Sequence, residues 1–443
     1  MNESESHASV ARHFVAIVGG AVSGSVAAEQ LAEDGIEVVV IEQHERPYGK
    51  IEDGLPRWHT VQRRKEYDKI SARLMHEGVH FVPCTRLGTD IQFEDLAKNL
   101  GFSAVLLATG AWKDRPFPIE GADEYIGKGL LYQNPLIHWF NHKNQAEFEG
   151  DQFDIPDRVA VFGGGLASID VIKVCQLVIF QRALRERGID VLTHEIEKKG
   201  IDKVCKAHGI SDPDELGVEG CTLFYRRRIA DMPLAQPPLN ATPQQIEKTI
   251  MARGKLISIV QEKLRFNVRD CTMPIGLETN DDRITGVRLQ RTEVIDGRAV
   301  AVEGSEELYK TDLIISSIGS LPEPIPGIPM DGNKYSYQDW EHGELAGYDG
   351  VFGIGNVVAG KGNIRASLQH AEMVVEYLRQ NYFRGAIGAA SAEAVRQHLD
   401  SRDPLSPEKM EALRSEIRSW QERVGYDGNY EQWIEKHTPP DLE

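Results

Sequence analysis

Cysteine is scarce in this chain of 443 residues: five occur, Cys84, Cys175, Cys205, Cys221 and Cys271, and no two are spaced C-x-x-C. A thioredoxin-like dithiol, a zinc ribbon and a cysteine-ligated iron–sulfur cluster therefore lack their motifs, and the sparse, odd count suits a reducing compartment. Long apolar runs are missing as well. The stretch from Val174 to Phe180 is interrupted by Gln176 and falls far short of a bilayer span, while the opening MNESESHASVARH lacks the apolar core of a signal peptide. A cytoplasmic location is expected. Positive charge is also in deficit, with 50 Lys and Arg against 68 Asp and Glu and a formal charge of -18. That balance argues against nucleic acid or an anionic membrane as partner. The 14 histidines show no H-E-x-x-H or similar spacing, so no metal is expected.

What is present is ordinary globular composition, 41% hydrophobic and 27% charged, over a length that predicts two or three domains. Glycine is plentiful, at 41 residues, and its placement is informative. Phe14 to Val18 reads as a buried strand, Gly19 to Gly24 as a tight turn, and Ser25 to Asp34 as a helix ended by Gly35. Val38 to Glu42 is then a second strand. This is a parallel βαβ unit with a glycine turn at its first strand end. Gly19 permits the turn, Ala21 stands at the middle glycine position, and Gly24 lets helix and strand approach. The helix N-terminus offers free N–H groups to a pyrophosphate. Glu42, 23 residues after Gly19, is placed to accept from ribose hydroxyls.

The same layout returns 144 residues later, with a strand from Arg158 to Phe162, a turn carrying Gly163, Gly165, Leu166 and Ser168, and a helix towards Arg187. A mixed-charge helical stretch fills residues 176–220, and the next apolar strand, Cys221 to Tyr225, ends on Arg226, Arg227 and Arg228 where an acid would otherwise stand. Guanidinium forks at that point suit a 2′-phosphate, so NADPH is favoured over NADH. Further strands are expected from Asp312 to Ile318 and near Gly350 to Gly355. In the last sixty residues Met410, Leu413, Ile417, Trp420 and Val424 form an amphipathic stripe that Ser406-Pro407 would start.

From about residue 13 to 380 these pieces resemble the adrenodoxin-reductase and glutamate-synthase-small-subunit type of FAD- and NADPH-dependent oxidoreductase. The resemblance rests on the two glycine turns, on Pro47 to Pro56 (with Gly49, Lys50 and Ile51) as a flavin-wrapping segment, and on Leu106 to Ala111 (with Thr109 and Gly110) as a strand end beside FAD. Tyr225-Arg226-Arg227 and the run Gly355-Asn356 followed by Gly362-Asn363-Ile364 complete it. Lys50, Glu52 and Asp53 depart from the family's apolar and basic run, Asn356 stands where Asp or Trp is usual, and the cysteine-rich N-terminal domain of the synthase subunit is absent.

The implied architecture is α/β, with two doubly wound, Rossmann-like nucleotide-binding domains, the NADPH domain inserted into a discontinuous FAD domain, and a helical C-terminal tail. FAD would be bound by residues 13–150 and 321–383, NADPH by 151–320, and 384–443 would form the tail. A helix starting near Asn363 would turn its positive end towards the flavin. His59 and Asp170, the latter expected in the first turn of the NADPH-domain helix, match a His–Asp pair of the family that couples domain orientation or tunes the flavin. With no internal dithiol or cluster, the electrons must leave for a separate acceptor. The resemblance implies a ferredoxin- or flavodoxin-like carrier, although the charge of -18 opposes an acidic one and only residues 182–206, with seven Lys or Arg against five acids, offer a basic stretch. Two alternatives remain open: an electron-input subunit whose tail stripe docks a partner, and a non-catalytic flavin-binding redox sensor. Oligomeric state is not legible.

Overall fold

A computed structural model describes residues 12–146, 148–238, 240–360, 362–383 and 402–439. Of the opening MNESESHASVARH, only Arg12 and His13 lie within the described residues. The chain divides into two compact units, one made of residues 1–55, 59–113 and 320–443, the other of 56–58 and 114–319.

The first unit opens with β1 (Phe14–Val18), α1 (Val22–Glu33) and β2 (Glu37–Ile41), then α2 (Thr60–Leu74), β3 (Val79–Val82) and β4 (Ala104–Leu107). All five residues of β1 are buried because parallel strands lie on both of its sides and helices cover its faces. Helix α1 starts three residues earlier than expected, at Val22. The turn needs only Gly19 to Ala21, so Gly24 falls inside the helix.

The second unit holds β5 (Leu130–Tyr132), α3 (Gln133–His142), β6 (Val159–Gly163), α4 (Leu166–Glu186), β7 (Cys221–Phe224), α5 (Pro243–Leu264) and β8 (Asn267–Arg269). It continues with β9 (Thr272–Asn280), β10 (Arg283–Ile295), β11 (Arg298–Ala301), β12 (Glu307–Lys310) and β13 (Leu313–Ser317). A parallel sheet runs β5-β13-β6-β7-β8. Strands β9, β10 and β11 form a separate antiparallel sheet, with β12 beside β10, that the sequence reading did not include.

The chain then completes the first unit with β14 (Tyr337–Asp339), β15 (Glu344–Leu345), β16 (Val351–Gly353) and α6 (Ile364–Asn381), followed by α7 (Pro407–Val424) and α8 (Tyr430–Lys436). Its sheet runs β14-β15-β16-β4-β1-β2-β3, with β16 parallel to β4. Among the described residues no helix is long and apolar enough to cross a membrane.

The tail stripe does not wait for a partner. Pro407 and the Ser406 side chain start α7 as expected, and Met410, Leu413, Ile417 and Trp420 are buried with Phe14, Ala16, Val39, Ile41 and Val82. The reading in which this stripe docks another protein is corrected: it belongs to the chain's own core. Arg414 secures the contact by pairing with Glu37 at the head of β2, with Nε 3.0 Å from Oε2. Burial alone would raise the Glu37 carboxyl, but hydrogen bonds from His80 and Arg414 outweigh it and hold the group at about 2. A folded-state value below the ordinary 4.5 means that the stabilisation is complete above pH 4.5 and fades as pH falls towards 2. Glu37→Gln should cost about 1–2 kcal/mol at neutral pH. The difference between wild type and variant in chemical denaturation should close below about pH 4.5; a difference that grows with acid would contradict the pairing.

Candidate functional site: two dinucleotide cradles

Each of the glycine turns is shaped by backbone crowding. In the first, Gly19 has φ +101°, and a Cβ there would sit 2.6 Å from the Ala108 carbonyl oxygen. A Cβ on Gly24 would lie 1.8 Å from the Gly19 carbonyl oxygen, so α1 is pressed against the end of β1. Ala21 is the N-cap of α1 and makes no side-chain cap, which leaves first-turn N–H groups for an anion. Glu42 is buried just beyond β2, accepting from Gly20 N–H at 2.9 Å and His44 N–H at 3.1 Å. Burial raises its carboxyl, and the Gly20 amide works against that rise.

Other expected residues gather at the same strand ends. Gly49 has φ +50°, and a Cβ there would be 3.1 Å from the Ala21 Cβ, which sets the wrapping segment beside the turn. Lys50 donates to Ser320 Oγ at 3.2 Å and lies over the Trp112 ring, while Ile51 is buried. Thr109 and Gly110 follow β4. The Thr109 hydroxyl is buried without a well-formed hydrogen bond, and Gly110 has φ +69°. Gly355, at φ +72°, packs so closely that a Cβ would meet Ser23 Oγ at 1.8 Å. Asn356 Oδ1 accepts from Gly362 N–H at 2.7 Å, and Asn363 caps α6, which Ile364 opens, by accepting from Ala366 N–H at 2.8 Å. The chain thus brings residues near 20, 50, 110 and 355 together around the starts of α1 and α6. These features, an uncapped helix start, a buried hydroxyl without a well-formed hydrogen bond and glycines no side chain can replace, fit a dinucleotide.

The second cradle repeats the plan with different detail. A Cβ on Gly163 would be 2.3 Å from the Ser317 carbonyl oxygen, and one on Gly164 would be 2.2 Å from the Tyr225 ring, whereas Gly165 faces open space. Gly165 is the uncapped N-cap of α4, and Leu166 behind it is exposed. Ser168 is fully buried and donates to the Ser317 carbonyl oxygen at 3.1 Å, tying the turn to β13.

The three arginines after β7 are not equivalent. Arg228 is bidentate on Asp231, with Nε–Oδ2 2.9 Å and Nη2–Oδ1 3.0 Å. Arg227 folds onto the Tyr225 hydroxyl at 2.9 and 3.1 Å. Arg226 is exposed, and among the described residues its guanidinium has no partner; only its carbonyl oxygen is engaged, by Thr292 Oγ1.

His59 is the half-buried N-cap residue of α2, its carbonyl accepting from Arg63 N–H at 2.9 Å. Asp170 is the fifth residue of α4, which carries no acid in its first turn, so the first-turn placement is corrected to the second turn. The two residues belong to different units.

Sequence reasoning did not single out Ser23, Trp112, Arg46 or Asp231. Arg46 is buried and pairs with Glu52 at 3.2 Å, which offsets the acid noted as a departure in the wrapping segment. The cysteines are free thiols, and burial pushes Cys221 well up, its neighbour Cys175 adding to the effect.

Comparison with known proteins finds chains of similar sequence and fold. Residues 13–211 match the model of the pyridine nucleotide-disulphide oxidoreductase family. The glutamate synthase [NADPH] small chain of Bacillus subtilis is 34% identical over 363 residues, covering 78% of this chain and 63% of that one. The Mycobacterium tuberculosis small chain is likewise spanned over only 62% of its length. NADPH-ferredoxin reductase FprA of Mycobacterium leprae is 25% identical over 434 residues, 88% of this chain and 90% of that one. The solved structure of Mycobacterium tuberculosis FprA in complex with NADPH shares the fold with a TM-score of 0.67 at 18% identity, covering 93% of this chain and 91% of that one. Residues 13–211 are thus similar to the pyridine nucleotide-disulphide oxidoreductase family, and nearly all of the chain shares the fold of FprA.

Proposed function

We propose that the chain is an NADPH-dependent flavoprotein reductase that hands electrons to a separate acceptor of the ferredoxin or flavodoxin class, working in the cytoplasm. One observation carries the reading: two cradles of the same build end in opposite charges, a buried carboxylate at Glu42 and, at Arg226, an exposed guanidinium without a partner among the described residues. A carboxylate accepts from ribose hydroxyls, and a guanidinium pairs with a 2′-phosphate. When bound, FAD supplies the redox chemistry, accepting hydride from NADPH and releasing electrons onward.

The chain's own residues bind and orient. Gly19, Ala21 and Gly24 open α1 to a pyrophosphate, Gly49, Lys50 and Ile51 cover it, and Thr109 and Gly110 close the β4 end. Gly355, Asn356, Gly362, Asn363 and Ile364 set the start of α6, whose positive end favours charge gained on reduction. Gly163, Gly165, Leu166 and Ser168 form the NADPH turn, with Arg226 and Arg227 for the 2′-phosphate. His59 and Asp170 are positioning residues that move no proton, because hydride transfer needs none. We assign FAD to the first unit and NADPH to the second; the boundary expected at residue 150 moves back to about 114, because β5 pairs with β13 in the second unit's sheet, and 384–443 remains the tail.

The separate acceptor follows from free cysteines without C-x-x-C spacing, and its class from the ferredoxin reductase relative. Three of the seven cations in the basic stretch 182–206 are paired internally, Arg182 with Asp154, Arg185 with Asp190 and Lys199 with Glu195. Docking of an acidic carrier therefore has to use a local surface and overcome long-range repulsion. Membership of a larger complex draws on the glutamate synthase relatives, but it loses the tail stripe as its docking element.

Anaerobic mixing tests the reading. NADPH should bleach the visible flavin absorbance rapidly, and NADH at least roughly tenfold more slowly. Bleaching by neither nucleotide removes the reductase reading and favours the non-catalytic one.

A further inference from the structure

The two tail helices do more than fill the core. The first unit's sheet ends at β3, and an open strand edge needs cover. Helix α7 packs with Val82 on one face of that edge, and Gln421 Nε2 donates to the Phe81 carbonyl oxygen at 2.9 Å. The chain then crosses to the other face, where Tyr426 and Tyr430 meet the Phe81 ring edge-on at 5.8 and 5.3 Å and join a cluster containing Tyr48 and Ile51.

From there α8 reaches the wrapping segment itself. Trp433 Nε1 donates to the Glu45 carbonyl oxygen at 2.8 Å. The Tyr430 hydroxyl lies 3.3 Å from Ser71 Oγ, which is 3.0 Å from the Tyr48 hydroxyl. Tyr48 immediately precedes Gly49, and Gly49 abuts Ala21 at the start of α1. Farther along the segment the holds come from elsewhere in the unit. Arg46 pairs with Glu52 and lies over the Tyr48 ring at 4.8 Å, and Arg63 donates to the Leu55 carbonyl oxygen at 3.2 Å.

We propose that Trp433 and Tyr430 of the C-terminal tail are positioning residues for the dinucleotide-binding segment Tyr48–Ile51, so that the first cradle is completed by a part of the chain 380 residues away. The proposal rests on the reading of that cradle as the FAD site. Trp433 fixes the segment's entry at Glu45, and the Tyr430–Ser71–Tyr48 chain of hydroxyls fixes the residue before the Gly49 turn. A segment held at both points meets the cofactor already ordered, which lowers the entropy lost on binding.

The full-length protein, stripped of flavin, is titrated with FAD and followed by flavin fluorescence and by the visible circular dichroism of the bound flavin. Trp433→Phe keeps the packed ring but removes the donor, and Tyr430→Phe removes only the hydroxyl. Trp420→Phe is the control; it removes a tail hydrogen bond, to Glu416 at 2.9 Å, and its ring packs in a core cluster that includes none of residues 45–51. Trp433→Phe and Tyr430→Phe should each weaken FAD binding roughly three- to tenfold and change the dichroism, with Trp420→Phe within about twofold of wild type. Apo-protein melting temperatures measure the general cost of each change. Wild-type affinity and dichroism in both variants would overturn the proposal. So would losses that merely track the apo melting temperature and appear equally in Trp420→Phe. Failure of the wild type to bind FAD overturns the cofactor reading itself, a distinct result.

Discussion

Gly24→Ala should yield protein that purifies without flavin. The added methyl would stand 1.8 Å from the Gly19 carbonyl oxygen and 3.3 Å from the Ala108 Cβ. Neither neighbour can retreat, because Gly19 N–H is bonded to the Ile41 carbonyl oxygen at 2.8 Å and Gly19 is itself pressed against the Ala108 carbonyl. The helix must therefore lift away from β1, and its N–H groups move off the pyrophosphate position. Overpacking of this kind costs about 1–3 kcal/mol in stability, and the displaced anion site should lose roughly 100-fold or more in FAD affinity. Flavin content after purification and an FAD titration measure the loss, with far-ultraviolet dichroism reporting that the unit is still folded. Gly165→Ala is the contrasting variant: its Cβ meets nothing within 4 Å and it lies in the other cradle, so flavin should be retained. A Gly24→Ala protein with full flavin content would refute the close approach.

Arg226→Ala should cost roughly 30- to 100-fold in kcat/KM for NADPH and leave NADH nearly unchanged, as expected for loss of charge-assisted bonds to one phosphate. Arg228→Ala, two residues on, should change either nucleotide less than about threefold, because that guanidinium is committed to Asp231. Arg227→Ala should fall between them, since it also abandons the Tyr225 hydroxyl. Steady-state kinetics with both nucleotides separate the three. Equal effects at Arg226 and Arg228 would show that the arginines act only as a diffuse positive patch.

The parallel cores were readable because a strand buried on both faces is a continuous apolar run, and Phe14–Val18 and Val159–Gly163 sit directly before glycine turns. The antiparallel sheet was harder. Its strands mix Arg, Glu and Thr with apolar residues, though Asp296-Gly297 between β10 and β11, at φ +49° and +74°, carries the hairpin signal that would have found it. The α1 start was placed late because Gly24 reads as a turn residue when its real constraint is a neighbour's carbonyl. Arg226 was legible as a cation, but its availability was not, since that depends on which carboxylate folds against Arg228. Most hidden were the tail's contacts. Arg414 meets Glu37 and Trp433 meets Glu45 across nearly the whole sequence, and no local pattern announces such a pairing.

The covering of β3 by α7 and α8 has a consequence for synthesis of the chain. Val82 leaves the ribosome some 350 residues before Trp433, an interval of roughly 20–70 s at ordinary elongation rates. Throughout it the strand that will end the sheet lacks its cap, and β16 is made late in the same interval. The second unit, whose residues are nearly contiguous, can close first. A ribosome stalled before codon 407 would hold a nascent chain with one finished unit and one bare sheet edge, the form most exposed to pairing with its neighbours on a polysome.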